Sequence, residues 1–304
     1  MRPRAHGMAI SPRRWLGGGM STTQTVLVLG GTGKTGRRVA AGLEERGVTA
    51  RAASRSGATR FDWADRATWG PALDGASAVY VVAPDLGTGL RPTADEIDAL
   101  VGQAAASGVR RAVLLSVPNG GAVDVDDARA AEHAVLDADL DGTIVRAHWF
   151  FQNFSEDFFR DPVMRGELRL PTAQGRDGFI DADDIADVAV AALLDADHAG
   201  RVYELTGPRL MTFGDTAAEI ARATGRELRY VPVSADVFAQ EGRDQGWPEE
   251  GIGSFAALYA KLAHDELATL TDDVRTVLGR PPRDFADYAR EAAAQGAWAD
   301  SVEG

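Results

Sequence analysis

"LGGTGKTGRRV", residues 29–39, can be read in two ways. Its "GKT" resembles the end of a P-loop and its spaced glycines a dinucleotide-binding turn. A P-loop requires G-x-x-x-x-G-K-[S/T]. With Gly33, Lys34 and Thr35 as its ending, the first glycine would fall at position 28, which is Val28. Without that glycine the loop cannot open around a triphosphate. The dinucleotide pattern is met twice, by Gly30, Gly33 and Gly36 and by Gly31, Gly33 and Gly36. Such a turn needs a strand before it, bare backbone beside a pyrophosphate, and a helix whose free N–H groups face the phosphates. "TVLVLG" (25–30) supplies the strand, and Val39, Ala40 and Leu43 give the following segment helical spacing. Thr32, Lys34 and Thr35 join the glycines as candidate cofactor-binding residues.

Outward from this turn, apolar runs alternate with helical patterns. Strands are predicted at 48–54, 59–63, 77–84, 110–117 and 142–147, with helices near 93–107 and 127–138. Alternating strands and helices, with strands apolar on both faces, specify an α/β doubly wound parallel sheet of Rossmann type. After about residue 150 the rhythm changes. "WFFQNFSEDFF" (149–159) is aromatic and irregular, "YELTG" (203–207) and "ELRYVPVS" (227–234) read as strands, "FGDTAAEIARATG" as a helix, and 247–298 as mostly helical. The expected organisation is an N-terminal extension (1–20), a dinucleotide-binding core (21–150) and a smaller C-terminal substrate-capping region (151–304) with elements returning to the core.

Composition narrows the function. The 304 residues contain no cysteine, which excludes disulfides, thiolate metal sites and a cysteine nucleophile. The net charge is −13, although Arg2, Arg4, Arg13 and Arg14 fall in an acid-free segment, residues 1–20. The acidic remainder repels a phosphate backbone, so no nucleic-acid partner is expected. No apolar run reaches the roughly 18 residues of a membrane span. "SPRRW" lacks the apolar stretch that an export signal needs after its arginines. Residues 1–20 are therefore expected to be a disordered extension or an upstream start, and the protein cytoplasmic, as a monomer or homodimer. "IDADDIAD" gathers Asp181, Asp183, Asp184 and Asp187, but Ile185 and Ala186 stand where a calcium loop needs a ligand and a glycine. Acids at the first turn of a helix explain it, and no metal is expected.

The predicted second strand ends "AASRSG", with Ser54 and Arg55 at its tip and no acid to receive ribose hydroxyls. A guanidinium there suits a 2′-phosphate, which favours NADP(H) over NAD(H). His148 is a candidate proton donor because imidazole titrates near neutrality, although a packed histidine after a strand is the commoner case. His133, beside Glu132, is expected on a helix surface or in packing. The aromatic run Trp149, Phe150, Phe151, Phe154, Phe158 and Phe159 is either core or the wall of a substrate mouth, and Trp247 is a candidate to close that pocket.

"VLVLGGTGKTGRRV", "ASRSG", "TIVRAHWFFQNF", "IDADDIADVAVAAL", "YELTGPRLMTFGDTAAEIA" and "LGRPPRDFADYA" together resemble the NmrA-like atypical short-chain dehydrogenase/reductases, over about residues 24–298. Within them the chain is most similar to the branch with ergot-alkaloid reductases and their bacterial relatives. The resemblance implies NAD(P)H on a Rossmann fold and a small-molecule substrate under a C-terminal cap. It implies that Gly30, Gly33 and Gly36 line the pyrophosphate and Arg55 the 2′-phosphate. Asp62 and Trp63 would lie near the adenine, and Val82, Ala83 and Pro84 near its ribose. Ser116 would lie by the nicotinamide ribose, with Phe150 and Asn153 toward nicotinamide and substrate.

One departure constrains the chemistry. Short-chain dehydrogenases use Tyr-x-x-x-Lys, in which the lysine lowers the tyrosine pKa for proton transfer. Four residues beyond the five tyrosines stand Pro84, Gly207, Ser234, Ala263 and Ala292, and the only lysines are Lys34 and Lys261. Hydride delivered to a simple ketone would leave an unprotonated alkoxide, costly in a dry site. An iminium is neutralised by hydride and a quinone delocalises the charge. The expected function is therefore NADPH-dependent reduction of a small conjugated or cationic acceptor, with secondary metabolism as its expected setting. The alternatives are an NADP(H)-binding redox sensor and an isomerase or cyclase on the same fold.

Overall fold

A computed structural model describes residues 24–83, 93–118 and 125–299. The expected extension 1–20 and Pro84 lie outside these residues. Alternation within the strands sets the layers. In β1 (Thr25–Leu29), Val26 and Val28 face one side and Leu27 and Leu29 the other, all fully buried. β2 (Thr49–Ser54), β3 (Thr59–Arg60), β4 (Ala78–Val81), β5 (Arg111–Ser116) and β6 (Asp141–Ala147) follow it into a single sheet. Its seven strands run in the order β3-β2-β1-β4-β5-β6-β9, every neighbouring pair parallel, with β9 (Val202–Leu205) at the far edge. The chain steps outward from β1 through β2 to β3, then restarts at β4 on the other flank. That reversal leaves a crevice beyond the carboxyl ends of β1 and β4, where ligands of open α/β sheets bind.

Helices cover both faces. α1 (Lys34–Glu45) buries Val39 and Leu43 against the Val26 face, and α2 (Trp69–Leu73), α3 (Ala94–Ala106) and α4 (Val125–Asp137) bury Trp69, Leu100 and Val135 against the Leu27 face. The fold is thus Rossmann-like, as the alternation predicted. The third predicted strand is shorter than 59–63. After Arg60 the chain turns, because Phe61 swings inward to pack edge-on against Trp63 at 5.2 Å and stacked with Trp69 at 6.0 Å.

The second half contributes to both parts of the molecule. α5 (Arg160–Arg165), β7 (Glu167–Leu170) and β8 (Arg176–Asp177) lead to α6 (Ala182–Leu194), which packs beside α1 and delivers the chain to β9, the seventh strand of the core sheet. The "YELTG" run is therefore core. The rest forms a second, aromatic core over the carboxyl edge of the sheet. There β10 (Met211–Thr212) pairs with β8 and β11 (Arg229–Pro232) with β7. α7 (Phe213–Thr224), α8 (Ala235–Asp244), α9 (Glu249–Ala263) and α11 (Phe285–Ala294) surround Phe154, Phe159, Phe213 and Tyr259, while α10 (Asp273–Leu278) packs on α6.

The acids of "IDADDIAD" cap α6, as expected of Asp181, whose side chain accepts from the Asp183 amide at 2.9 Å. They also do more. Asp183 receives Arg38 Nε at 2.6 Å from α1 and Arg283 Nη1 at 2.6 Å, while Arg280 donates to Asp184 at 2.6 Å and Asp187 at 2.7 Å. The cluster ties α6 to α1 and to the C-terminal segment. Asp184 is fully buried, and burial holds its pKa above the usual range despite the hydrogen bonds and charges of Arg280 and Arg283. Arg280→Ala leaves that carboxylate without its guanidinium and is expected to cost about 2 kcal/mol, read as a lower urea midpoint with unchanged slope.

Candidate active site

The glycine turn is built by contacts that only glycine permits. Gly30 takes φ +59°, and the Gly33 amide closes the turn onto Gly30 O at 2.8 Å. A Cβ on Gly31 would lie 2.6 Å from the Ala52 Cβ in β2, and one on Gly36 would lie 2.2 Å from Gly30 O. Gly36 therefore seats α1 on the turn. It does not line the crevice. Gly36→Ala drives a methyl into backbone and is expected to destabilise the fold by about 3 kcal/mol, with dinucleotide titration and thermal melting as the measurements. Gly33 begins α1 without any side-chain cap, so the first N–H groups of the helix stay open toward the crevice.

From this turn a cavity of about 540 Å³ runs along the carboxyl ends of the central strands. Gly30, Thr32, Gly33, Lys34 and Thr35 line its middle. Ser54, Arg55, Asp62 and Trp63 line one end, reached through the tips of β2 and β3, and Val82 and Ala83 follow β4. Ser116, His148, Phe150 and Asn153 line the other, with Trp149 and Phe158 and with Phe255 and Leu258 of α9. Arg55 is exposed and has no hydrogen-bond or ion-pair partner among the described residues. One expected substrate residue lies elsewhere. Phe151 is 1% exposed in the second core, edge-on to Phe285 at 4.9 Å, because the short helical turn 151–154 points it away from the crevice. Trp247 stands against Phe238 and Phe255 on the wall of an adjoining cavity, which shares Ser116, Val117, Phe158 and Phe255 with the first.

The two candidate proton carriers are held by a buried polar network. Ser116 Oγ donates to Glu132 Oε1 at 2.6 Å, so its lone pairs remain for an occupant of the crevice. Glu132, 2% exposed on α4, also receives Arg129 Nη1 at 2.8 Å and Arg146 Nη2 at 2.6 Å. His148 is 2% exposed, with Nδ1 bonded to Asp177 and Nε2 facing Glu204 Oε1 at 3.2 Å. Burial alone would lower its pKa, but the charge and hydrogen bond of Asp177, reinforced by Glu204, outweigh burial and push it up to about 9. The expectation of a donor poised near neutrality is therefore corrected. His148 is a fixed imidazolium whose two N–H groups both point at carboxylates.

Sequence reasoning missed Glu132, naming it only as the neighbour of His133. His133 is exposed, but Glu132 lies next to the buried stripe of Ala131 and Val135, and Arg129 at i−3 was its signal. It also placed Lys34 among the candidate cofactor-binding residues. Its ammonium instead reaches across the crevice, donating to Asn153 Oδ1 at 2.8 Å and pairing with Asp157. It also sits over the Phe150 ring at 5.7 Å and the Phe158 ring at 6.0 Å. Among the described residues no group of histidine and acidic side chains is arranged to hold a metal ion, and no helix is long and apolar enough to cross a membrane.

A parallel, doubly wound sheet with a glycine turn at its switch point defines a Rossmann-type α/β protein. The chain belongs to the NmrA-like family, whose model matches residues 22–289. It is similar to the NAD(P)H azoreductase of Xenophilus azovorans, 32% identical over 287 residues that cover 88% of this chain and 98% of that one. It is also similar to agroclavine dehydrogenase of Claviceps fusiformis, 30% identical over 289 residues covering 88% and 96%. Among solved structures, the Escherichia coli NADPH-dependent quinone oxidoreductase QOR2 complexed with NADPH has the same fold, with a TM-score of 0.70, 20% identity, and coverage of 88% of this chain and 99% of that one.

Proposed function

We propose that the protein is an NADPH-dependent oxidoreductase that transfers hydride to a small conjugated or cationic acceptor without a Tyr-x-x-x-Lys pair. The observation that carries this reading is the cavity itself. It runs from the glycine turn past Ser116 to an apolar end formed by Phe150, Phe158, Phe255 and Leu258, a wall suited to a flat conjugated acceptor. A sensor that only holds its dinucleotide has no need of such a wall. The kinship with an azoreductase and a dehydrogenase supports the same reading.

The residues present fit the cofactor. Bare glycine backbone and the uncapped start of α1 suit a pyrophosphate. Arg55, unpartnered at the tip of β2, suits a 2′-phosphate, and Ser54 stands beside it. Ser116, its proton committed to Glu132, accepts from a ribose hydroxyl. A bound NADPH supplies the hydride. The protein's own part is to orient the acceptor on the aromatic wall, exclude water and meet the charge that develops.

The test is to titrate NADPH and NADH and then follow nicotinamide oxidation with a quinone panel and a cyclic iminium panel. Tight NADPH binding with turnover on either panel is the expected result. NADPH binding without oxidation would move the protein to the sensor class, and failure to bind either dinucleotide would overturn the reading.

A further inference from the structure

Lys34 does not point where the first residue of a phosphate-binding helix is expected to point. Its ammonium is engaged by Asn153 and Asp157 and lies over the rings of Phe150 and Phe158, all on the acceptor side. An ammonium has donors only, so the atom of Asn153 that meets it must be the carbonyl oxygen. The orientation of this carboxamide is therefore set by chemistry. Asn153 is 6% exposed and lines the cavity, and its Nδ2 has no protein acceptor among the described residues. Two N–H donors are thus left for whatever occupies the acceptor end. The cations at this end are already matched, Lys34 by Asp157 and His148 by Asp177 and Glu204, so what Asn153 adds there is hydrogen-bond donors and not net charge.

We propose that Lys34 is a specificity-determining positioning residue: it fixes the Asn153 carboxamide with its N–H donors toward the acceptor and so selects uncharged conjugated carbonyl acceptors over cationic iminium ones. The proposal rests on the reductase reading above and narrows it. When hydride from the reduced dinucleotide adds to a quinone, the displaced electron pair moves onto the carbonyl oxygen. The Asn153 N–H groups hold that negative charge, a proton from water completes the hydroquinone, and the dinucleotide leaves oxidised. An iminium has no lone pair with which to accept from these N–H donors, so they favour the carbonyl acceptor alone.

The experiment uses the full chain saturated with NADP+, so that no turnover occurs. It is titrated calorimetrically with 1,4-naphthoquinone and with an N-methyl-3,4-dihydroisoquinolinium salt, and NADPH affinity is measured separately. The wild-type chain is expected to bind naphthoquinone more tightly than the iminium, and Lys34→Met to weaken naphthoquinone roughly tenfold with a smaller change for NADPH. Lys34→Arg, whose guanidinium also only donates, is expected to restore quinone binding. Lys34→Gln, whose amide can present either end, is expected to lose it, so the comparison survives if the methionine variant fails to fold. A Lys34→Met chain that loses NADPH affinity and keeps its quinone affinity makes Lys34 a phosphate ligand and overturns the proposal. A wild-type preference for the iminium overturns the proposal and leaves the reductase reading intact. Failure to bind either dinucleotide overturns both.

Discussion

Arg55→Ala is expected to weaken NADPH binding roughly 100-fold and to change NADH binding far less. A bidentate, charge-assisted contact to a 2′-phosphate is worth about 3 kcal/mol, and NADH has no phosphate to lose. Arg55 is at the tip of β2, exposed, lining the crevice and without an internal partner among the described residues. Its removal therefore breaks no ion pair within the described residues, and the fold is expected to melt as before. Arg55→Asp carries the substitution further. It supplies an acceptor for ribose hydroxyls and repels the phosphate, so the preference is expected to invert toward NADH. Calorimetric titration of both dinucleotides into wild type and variants reads the effect. Equal losses for NADPH and NADH, or none for either, would remove Arg55 from the cofactor site.

The second large effect concerns His148. Its imidazolium stands between Asp177, fully buried, and Glu204, so His148→Ala leaves both carboxylates without the cation they share. Breaking a buried pair in this way costs about 3–5 kcal/mol. The wild-type dependence on pH has a definite sign. The folded pKa of about 9 stands above the ordinary 6.5, so the folded state binds the proton more tightly than the unfolded chain. The stabilisation is complete below pH 6.5 and is lost as pH rises through about 9. The amount lost is about 3 kcal/mol, from the size of the shift. Urea unfolding across this window is expected to show a falling midpoint in the wild type and a much flatter profile in His148→Gln. A wild-type midpoint that stays level to pH 9 would contradict the assignment of His148 as a cation.

The core was legible because its signals are local. Val26, Val28, Leu27 and Leu29 announce a strand buried on both faces, and Gly30, Gly31 and Gly36 announce contacts too close for a side chain. Arg55 stands out in the sequence as an arginine where an acid would otherwise stand, and the structure places it on the crevice wall. What could not be read is the partnership of polar groups distant in sequence. Lys34 is 119 residues from Asn153, and Asp177 is 29 from His148. Each side chain alone is compatible with solvent, phosphate or core, and only the folded chain chooses. The aromatic run divided for a related reason. The helical turn at 151–154 sends Phe150 and Asn153 to the cavity and Phe151 and Phe154 to the core, a division that composition does not carry.

The central claim, that this NmrA-like chain passes hydride from NADPH to an acceptor held against its aromatic wall, is tested most directly in a single turnover. Stoichiometric protein–NADPH complex is mixed with 1,4-naphthoquinone in a stopped-flow instrument, using NADPH deuterated at C4 on one face and then on the other. The account predicts rapid loss of nicotinamide absorbance, slowed by deuterium on one face only, because a fixed crevice presents one face to the acceptor. Bound NADPH that persists unoxidised with the quinone and with the iminium panel, or oxidation indifferent to deuterium on both faces, would contradict it.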